Sequence, residues 1–217
     1  MRQLTAEFDM SSPEIIHLCA ADPRLAAVIK TLGPVRCEPV CDPFAFVVQT
    51  IVGQMLSARV ADVIAARLDS ICSGSVTPGA ILTLSAEALT AVGLSRAKAA
   101  AVRALAETVT RDPVFFDRLE TLTDDAVQKE LTHLRGIGSW TAKMYLLFVL
   151  QRPDVLPFED GALQQAFRWL YDTDDAGRAA IEAQACAWKP YASLASRYLY
   201  RALDSGLLSQ PFEHSLK

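Results

Sequence analysis

The sequence predicts an all-α protein, and three observations support that expectation. Alanine and leucine are abundant, while alternating β-branched residues are scarce. Proline repeatedly follows Asp or Ser just ahead of an apolar stretch, the pattern of an N-cap and a first helical position. Segments with apolar residues at helical spacing follow one another along the chain with short connections. With 217 residues, 51% of them hydrophobic, the chain can form one large domain or two small ones, with a real core.

Taken in order, "SSPEIIHLCA" opens the series with Ser12 as N-cap and Pro13 at the first helical position. "DPRLAAVIKTLG" repeats the pattern with Asp22, Pro23 and a closing Gly33, and "DPFAFVVQTIVGQ" repeats it with Asp42 and Pro43. "SARVADVIAARLDSIC" has apolar residues at 60, 63, 64, 68 and 71, a helical stripe. "TPGAILTL" and "SAEALTAVGL" read as short helices, and "SRAKAAAVRALAETVTR" as a longer one capped by Ser95. "LTDDAVQKELTHL" leads into "LRGIGSWTAKM", and "SWTAKMYLLFVLQ" reads as a strongly apolar helix. "LPFEDGALQQAFRWLY" is a loop feeding a further helix, and "DDAGRAAIEAQACAW" and "PYASLASRYLYRALDSG" complete the set. No strand pair, internal repeat or low-complexity tract is read. Residues 1–10 and about 209–217 lack a helical pattern and are expected to fray.

The net charge of −4 argues against a surface coated in basic residues, though it leaves room for a local basic face. The five cysteines, Cys19, Cys37, Cys41, Cys72 and Cys186, are odd in number and widely spread, which does not suggest a disulfide framework. They are expected to be reduced and mostly buried. Cys37 and Cys41 are four apart, without the further His or Cys that a zinc site needs. His17, His133 and His214 are scattered, with no ligand spacing. No signal peptide is read in the first twenty residues. The longest apolar stretch, "FAFVVQTIVGQML", is too short to span a bilayer and contains Gln49 and Gln54, so a soluble cytoplasmic protein without a membrane partner is expected.

"LRGIGSWTAK" is the most informative string. Gly136 and Gly138 can adopt backbone angles that other residues resist, and they leave amides uncovered at the start of a helix. Such amides suit an anion such as a phosphate. Ile137 between them can turn into the core and fix the bend. Gly-x-Gly alone also fits a plain helix–helix turn.

The whole string resembles the helix-hairpin-helix motif, L-P-G-I-G-x-x-T-A, with Arg135 where proline is usual. Downstream, in "DVLPFEDGALQQAF", Asp160 lies 22 positions after Gly138, which resembles the placing of the catalytic aspartate in the helix-hairpin-helix DNA glycosylase superfamily. Three more stretches resemble the AlkA-like 3-methyladenine DNA glycosylases. "FVVQTIVGQMLSARVADVIAARL" is similar to their I-x-x-Q-Q-x-S helix pair, "LTAVGLSRAKAAAVRALA" to their G-L-S-x-x-K segment, and "WKPYASLASRYLY" to their W-x-P-W-R-S-x-A segment. The likeness covers roughly residues 22–206. Met55 departs from it where a second Gln or an apolar residue is frequent, and Ala192 departs where Arg is frequent.

The resemblance implies two helical lobes around a central cleft, residues 43–156 forming one and residues 11–42 with 157–217 the other. The N-terminal β-rich domain of larger AlkA enzymes is not expected in a chain this short. The implied activity is that of a monofunctional DNA glycosylase that flips alkylated purines out of double-stranded DNA and excises them. Asp160 would stabilise the oxocarbenium-like sugar or orient water, with Glu159 as a rival carboxylate. Trp140, Met144 and Tyr200 would line the base pocket. Arg135, Gly136, Ile137, Gly138, Thr141 and Lys143 would contact DNA, and Gln54, Met55 and Leu56 would form the wedge that fills the gap. Carbonyls near Leu134 and Gly136 would be the candidate site for Na⁺ or K⁺.

No cofactor is required on this reading. Only Cys186 follows Asp160, so no iron-sulfur cluster is expected. Bifunctional members carry lysine two residues after the second hairpin glycine; here Trp140 stands there, and Lys143 faces elsewhere, so no lyase step is expected. A monomer is expected. The open alternatives are a non-catalytic helix-hairpin-helix protein that binds abasic or distorted DNA, and a glycosylase for hypoxanthine, uracil or ethenoadenine. Asp160 could also serve only as an N-cap, and the pocket residues only as core.

Overall fold

Proline in the first turn of a helix loses no hydrogen bond, because its missing N–H would have had no intrahelical acceptor. The computed structural model, which describes residues 5–212, starts α1 (Pro13–Ala21), α2 (Pro23–Leu32) and α3 (Pro43–Gly53) on such prolines. Asp22 accepts from the amides of Arg24 and Leu25, and Asp42 accepts from Ala45. Ser12 makes no such bond; its hydroxyl accepts from the Asp9 amide at 2.9 Å instead. There follow α4 (Ala58–Ile71), α5 (Pro78–Thr83), α6 (Ala86–Ala91), α7 (Arg96–Arg111), α8 (Phe115–Glu120), α9 (Asp124–Thr132) and α10 (Ser139–Met144). A π-helical turn, Tyr145–Val149, extends α10. The series ends with α11 (Gly161–Tyr171), α12 (Arg178–Ala185) and α13 (Ala192–Asp204). Thr77, Ser85, Ser95 and Thr123 each accept an orphan amide at the start of their helices.

The chain divides into two compact units, Met1–Pro39 with Gln151–Lys217, and Val40–Leu150. The divisions fall at 39/40 and 150/151, against 42/43 and 156/157 in the sequence reading.

In the unit made of both chain ends, α2, α11 and α13 pack around Trp188, Tyr198, Leu25, Ile29, Leu163 and Leu199, all essentially buried. Asp22 is buried with them. Besides capping α2 it accepts from the Trp188 indole at 2.9 Å and from the Tyr171 hydroxyl, so a buried charge is surrounded by donors. This unit also contains a strand pair that the sequence did not reveal. β1 (Ala6–Phe8) runs antiparallel to β2 (Val35–Cys37), with Glu7 opposite Arg36. Three-residue strands are too short for alternation to show. The expected fraying is likewise corrected on the described side of each end. Gln210 accepts from the Trp169 indole at 2.8 Å, and Phe212 lies edge-on to Trp169. His214 lies outside the described residues, as do residues 1–4 and the other residues from 213 onward.

In the unit Val40–Leu150, α3 packs on α4, α7 and α10, with Val47, Ile51, Leu105, Leu131 and Leu147 buried. The stripe read on α4 is corrected: Ile64 and Leu68 face the core, but Val60, Val63 and Ile71 are exposed. The cysteines are free, yet only Cys37 and Cys72 are buried, whereas Cys41 and Cys186 are exposed. Among the described residues no helix is long and apolar enough to cross a membrane.

Candidate functional site

Between α9 and α10 the chain reverses within a few residues. The Ile137 amide donates to the Leu134 carbonyl at 3.2 Å, and the Ile137 side chain is buried as an anchor. Gly136 has φ +77°, and a Cβ there would stand 2.4 Å from the Cβ of Ala101 on α7. Both the backbone angle and the close approach require glycine at this position. Gly138 differs from expectation. Its φ of −98° is open to any residue, and nothing lies within 4 Å of where its Cβ would be. The fold does not demand this glycine, which leaves open space over the amides that begin α10. Arg135, Gly136 and Gly138 are exposed, and Lys143 is half-buried.

Two expected DNA contacts are engaged inside the protein. Thr141 is buried, and its Oγ1 accepts from Gln54 Nε2 at 3.2 Å, so its hydroxyl belongs to the hairpin's packing rather than to a phosphate. Gln54 also donates from Nε2 to the Gly136 carbonyl at 2.9 Å, so its side chain is turned to the hairpin. Met55, the next residue, has φ +57° and is fully exposed, with Leu56 40% exposed beside it. The Leu134 and Gly136 carbonyls each accept one N–H, from Ile137 and from Gln54, which leaves each oxygen a second lone pair.

Sequence reading missed Lys98. Its Nζ donates to the Val52 carbonyl at 2.8 Å and the Gln54 carbonyl at 2.7 Å. Burial pushes this ammonium below the ordinary lysine range. The signal was present in the "GLSRAK" string, where a lysine follows the Ser95 cap by three residues. Within α10, Trp140 is half-buried and Met144 is 6% exposed. At positions 140 and 144, one helical turn apart, the helix turns only one side chain fully inward.

In the other unit Asp160 is the N-cap of α11, its Oδ1 accepting from the Leu163 amide at 2.8 Å. Tyr200 on α13 lies against it. Burial and the nearby Asp160 charge hold the Tyr200 phenol far above the ordinary tyrosine range. Arg197, one turn before Tyr200, is pushed below its usual range by burial, with Cys37 and Tyr200 as its electrostatic neighbours. Glu159 is exposed, whereas Asp160 is half-buried. The structure therefore joins Asp160 to Tyr200 in one unit, and Gln54, Gly136 and Thr141 in the other. His133 ends α9 on the surface, and His17 stacks edge-on to Tyr191. A cavity of about 510 Å³ beside α3 and α4 is lined by Asp42, Asp62 and Asp69, the wrong charge for a polyanion.

Residues 48–191 match the family described as HhH-GPD superfamily base excision DNA repair protein. The chain is 29% identical over 162 residues to DNA-3-methyladenine glycosylase 1 of Schizosaccharomyces pombe, covering 72% of this chain and 71% of that protein. Its structure is similar to that of a DNA-3-methyladenine glycosidase from Bacillus halodurans, with a TM-score of 0.77 and 34% identity over 91% of this chain and 92% of that one. It is also similar to the Schizosaccharomyces pombe 3-methyladenine DNA glycosylase in complex with abasic DNA, with a TM-score of 0.81 and 26% identity over 89% of this chain and 97% of that one.

Proposed function

The chain belongs to the HhH-GPD superfamily of base excision DNA repair proteins, and on that premise we propose that it is a monofunctional DNA glycosylase acting on alkylated purines, 3-methyladenine and 7-methylguanine, in double-stranded DNA. The observation that supports this reading most is the half-buried Asp160 carboxylate, fixed by the Leu163 amide beside the Tyr200 ring. The glycosylases to which the chain is similar agree with it.

A purine methylated at N3 or N7 is cationic and already a good leaving group. When the N-glycosidic bond breaks, its electron pair goes to the base and neutralises it. The sugar is left with oxocarbenium character, and water adds to its C1′ and gives up a proton. The protein's task is then mainly electrostatic. Asp160 supplies a negative charge at a fixed place, and the Leu163 amide that holds it limits how far it can move. Trp140 offers a ring face to the cationic base. The open space over Gly138 lets a phosphate approach the amides that begin α10, and Met55 enters the stack as the base leaves. No amine stands at position 140 to attack the sugar, so the strand stays intact.

The test is release of free bases from methylated duplex DNA, with strand breaks scored separately. Release of 3-methyladenine or 7-methylguanine without nicking supports the reading. Nicking in step with base release overturns the monofunctional part. Binding to abasic DNA with no release from this or from hypoxanthine, uracil or ethenoadenine substrates overturns the enzyme and leaves a DNA-binding protein.

A further inference from the structure

We propose that Lys98 is a positioning residue that works with Gln54 to hold the Met55 loop in fixed register with the hairpin, so that wedge and phosphate grip move as one piece. The inference rests on the reading of Met55 as the wedge. The last carbonyls of a helix have no intrahelical donor, and a cation there offsets both the unmet hydrogen bonds and the helix dipole. At the end of α3 a single ammonium answers two such carbonyls, Val52 at 2.8 Å and Gln54 at 2.7 Å, on either side of Gly53. Lys98 comes from the first turn of α7, just after the Ser95 cap, so its base is well anchored.

Gln54 completes the connection. Its backbone carbonyl is held by Lys98, while its side-chain amide donates to Gly136 at 2.9 Å and to Thr141 at 3.2 Å. The next residue, Met55, is left-handed at φ +57° and fully exposed. That backbone state is unfavourable for a residue with a side chain and persists only where neighbours impose it. Here the restraint comes immediately before it in the chain. A large apolar side chain held out in water has no reason in the fold itself, whereas a probe that must enter a base stack at a set distance from a gripped phosphate needs this rigidity.

The experiment compares two lesion substrates, a methylated purine in a fully paired duplex and the same purine unstacked in a single-nucleotide bulge. Wild type, Lys98→Met and Gln54→Ala are measured under single-turnover conditions. A misplaced wedge should slow the paired substrate on the order of 100-fold while sparing the bulged one. Equal losses on both substrates, or no loss on either, overturn the proposal, since general structural damage does not discriminate between them. A second readout needs no turnover: equilibrium affinity for a duplex with a reduced abasic site relative to intact duplex. The Lys98→Met variant should lose that preference while keeping the affinity for intact duplex. If wild type releases no base from either substrate, the glycosylase reading fails by itself, and the abasic preference alone decides the clamp, its loss in Lys98→Met supporting it and its retention overturning it.

Discussion

Asp22 and Asp160 lie in the same unit and do the same local job, each capping a helix with its side chain. Their surroundings differ. Asp22 is 2% exposed and ringed by the Arg24 and Leu25 amides, the Trp188 indole and the Tyr171 hydroxyl. Asp160 is half-buried, and among its neighbours are the Leu163 amide and the Tyr200 ring. A carboxylate saturated with donors in a core can stabilise a fold, but it cannot meet a substrate. A half-buried carboxylate at a helix end can do both. Capping geometry is the same at Asp22 and Asp160, and what surrounds the cap differs.

Asp22→Ala should test the structural half with the largest effect. Removing the acceptor strands a buried indole, a buried hydroxyl and two helix amides, each unmet donor costing about 1–3 kcal/mol. A loss of about 3 kcal/mol or more in unfolding free energy is expected in urea titrations. A change below about 0.5 kcal/mol, the range of ordinary surface substitutions, would break the comparison.

The hairpin glycines give a second, smaller contrast. Gly136→Ala should lower stability by about 1–3 kcal/mol, from the φ of +77° and the overlap with Ala101. Gly138→Ala should cost less than about 1 kcal/mol of stability, as a poorer N-cap. It should nonetheless weaken DNA binding by about 10-fold, the worth of one charged hydrogen bond to phosphate. Thermal unfolding and fluorescence anisotropy on the same preparations separate the two effects. Equal behaviour of the two variants would mean that the open space at Gly138 has no ligand.

The gentlest effect concerns alkali. Tyr145, Tyr171 and Tyr200 are all held protonated above the usual tyrosine value of 10.0, first by burial. A raised folded-state value means that the folded protein keeps protons which the unfolded chain releases. Their stabilisation is therefore fully present below pH 10 and declines as pH rises beyond it. Each should contribute a downward slope of up to about 1.4 kcal/mol per pH unit. Tyr200→Phe should remove one such share from the slope of unfolding free energy measured just above pH 10, and an unchanged slope would contradict the buried phenol.

Much of this architecture was legible in the sequence, because helices announce themselves locally. Asp22, Asp42 and Ser95 cap helices as their spacing implies, and the hairpin string marks its own turn. Other features depend on distant partners, and nothing local reveals them. The strand at Ala6–Phe8 exists because Val35–Cys37 lies beside it. Gln54 looked like part of a wedge until its amide was seen to hold Gly136, more than eighty residues away. Periodicity placed Val60 and Ile64 on one stripe, but it could not say where the neighbouring helix stops covering it. For Asp160, position pointed to the residue, while its contact with Tyr200 could only come from the fold.

The most direct test of the account is Asp160→Asn, read for base release and for stability on one preparation. Asparagine caps a helix as well as aspartate does, so the unfolding free energy should stay within about 0.5 kcal/mol of wild type. Single-turnover release of 3-methyladenine from methylated duplex DNA should fall on the order of 100-fold or more, the loss expected if the Asp160 charge stabilises the sugar. Release at the wild-type rate from a folded Asp160→Asn protein would contradict the account and reduce Asp160 to a helix cap.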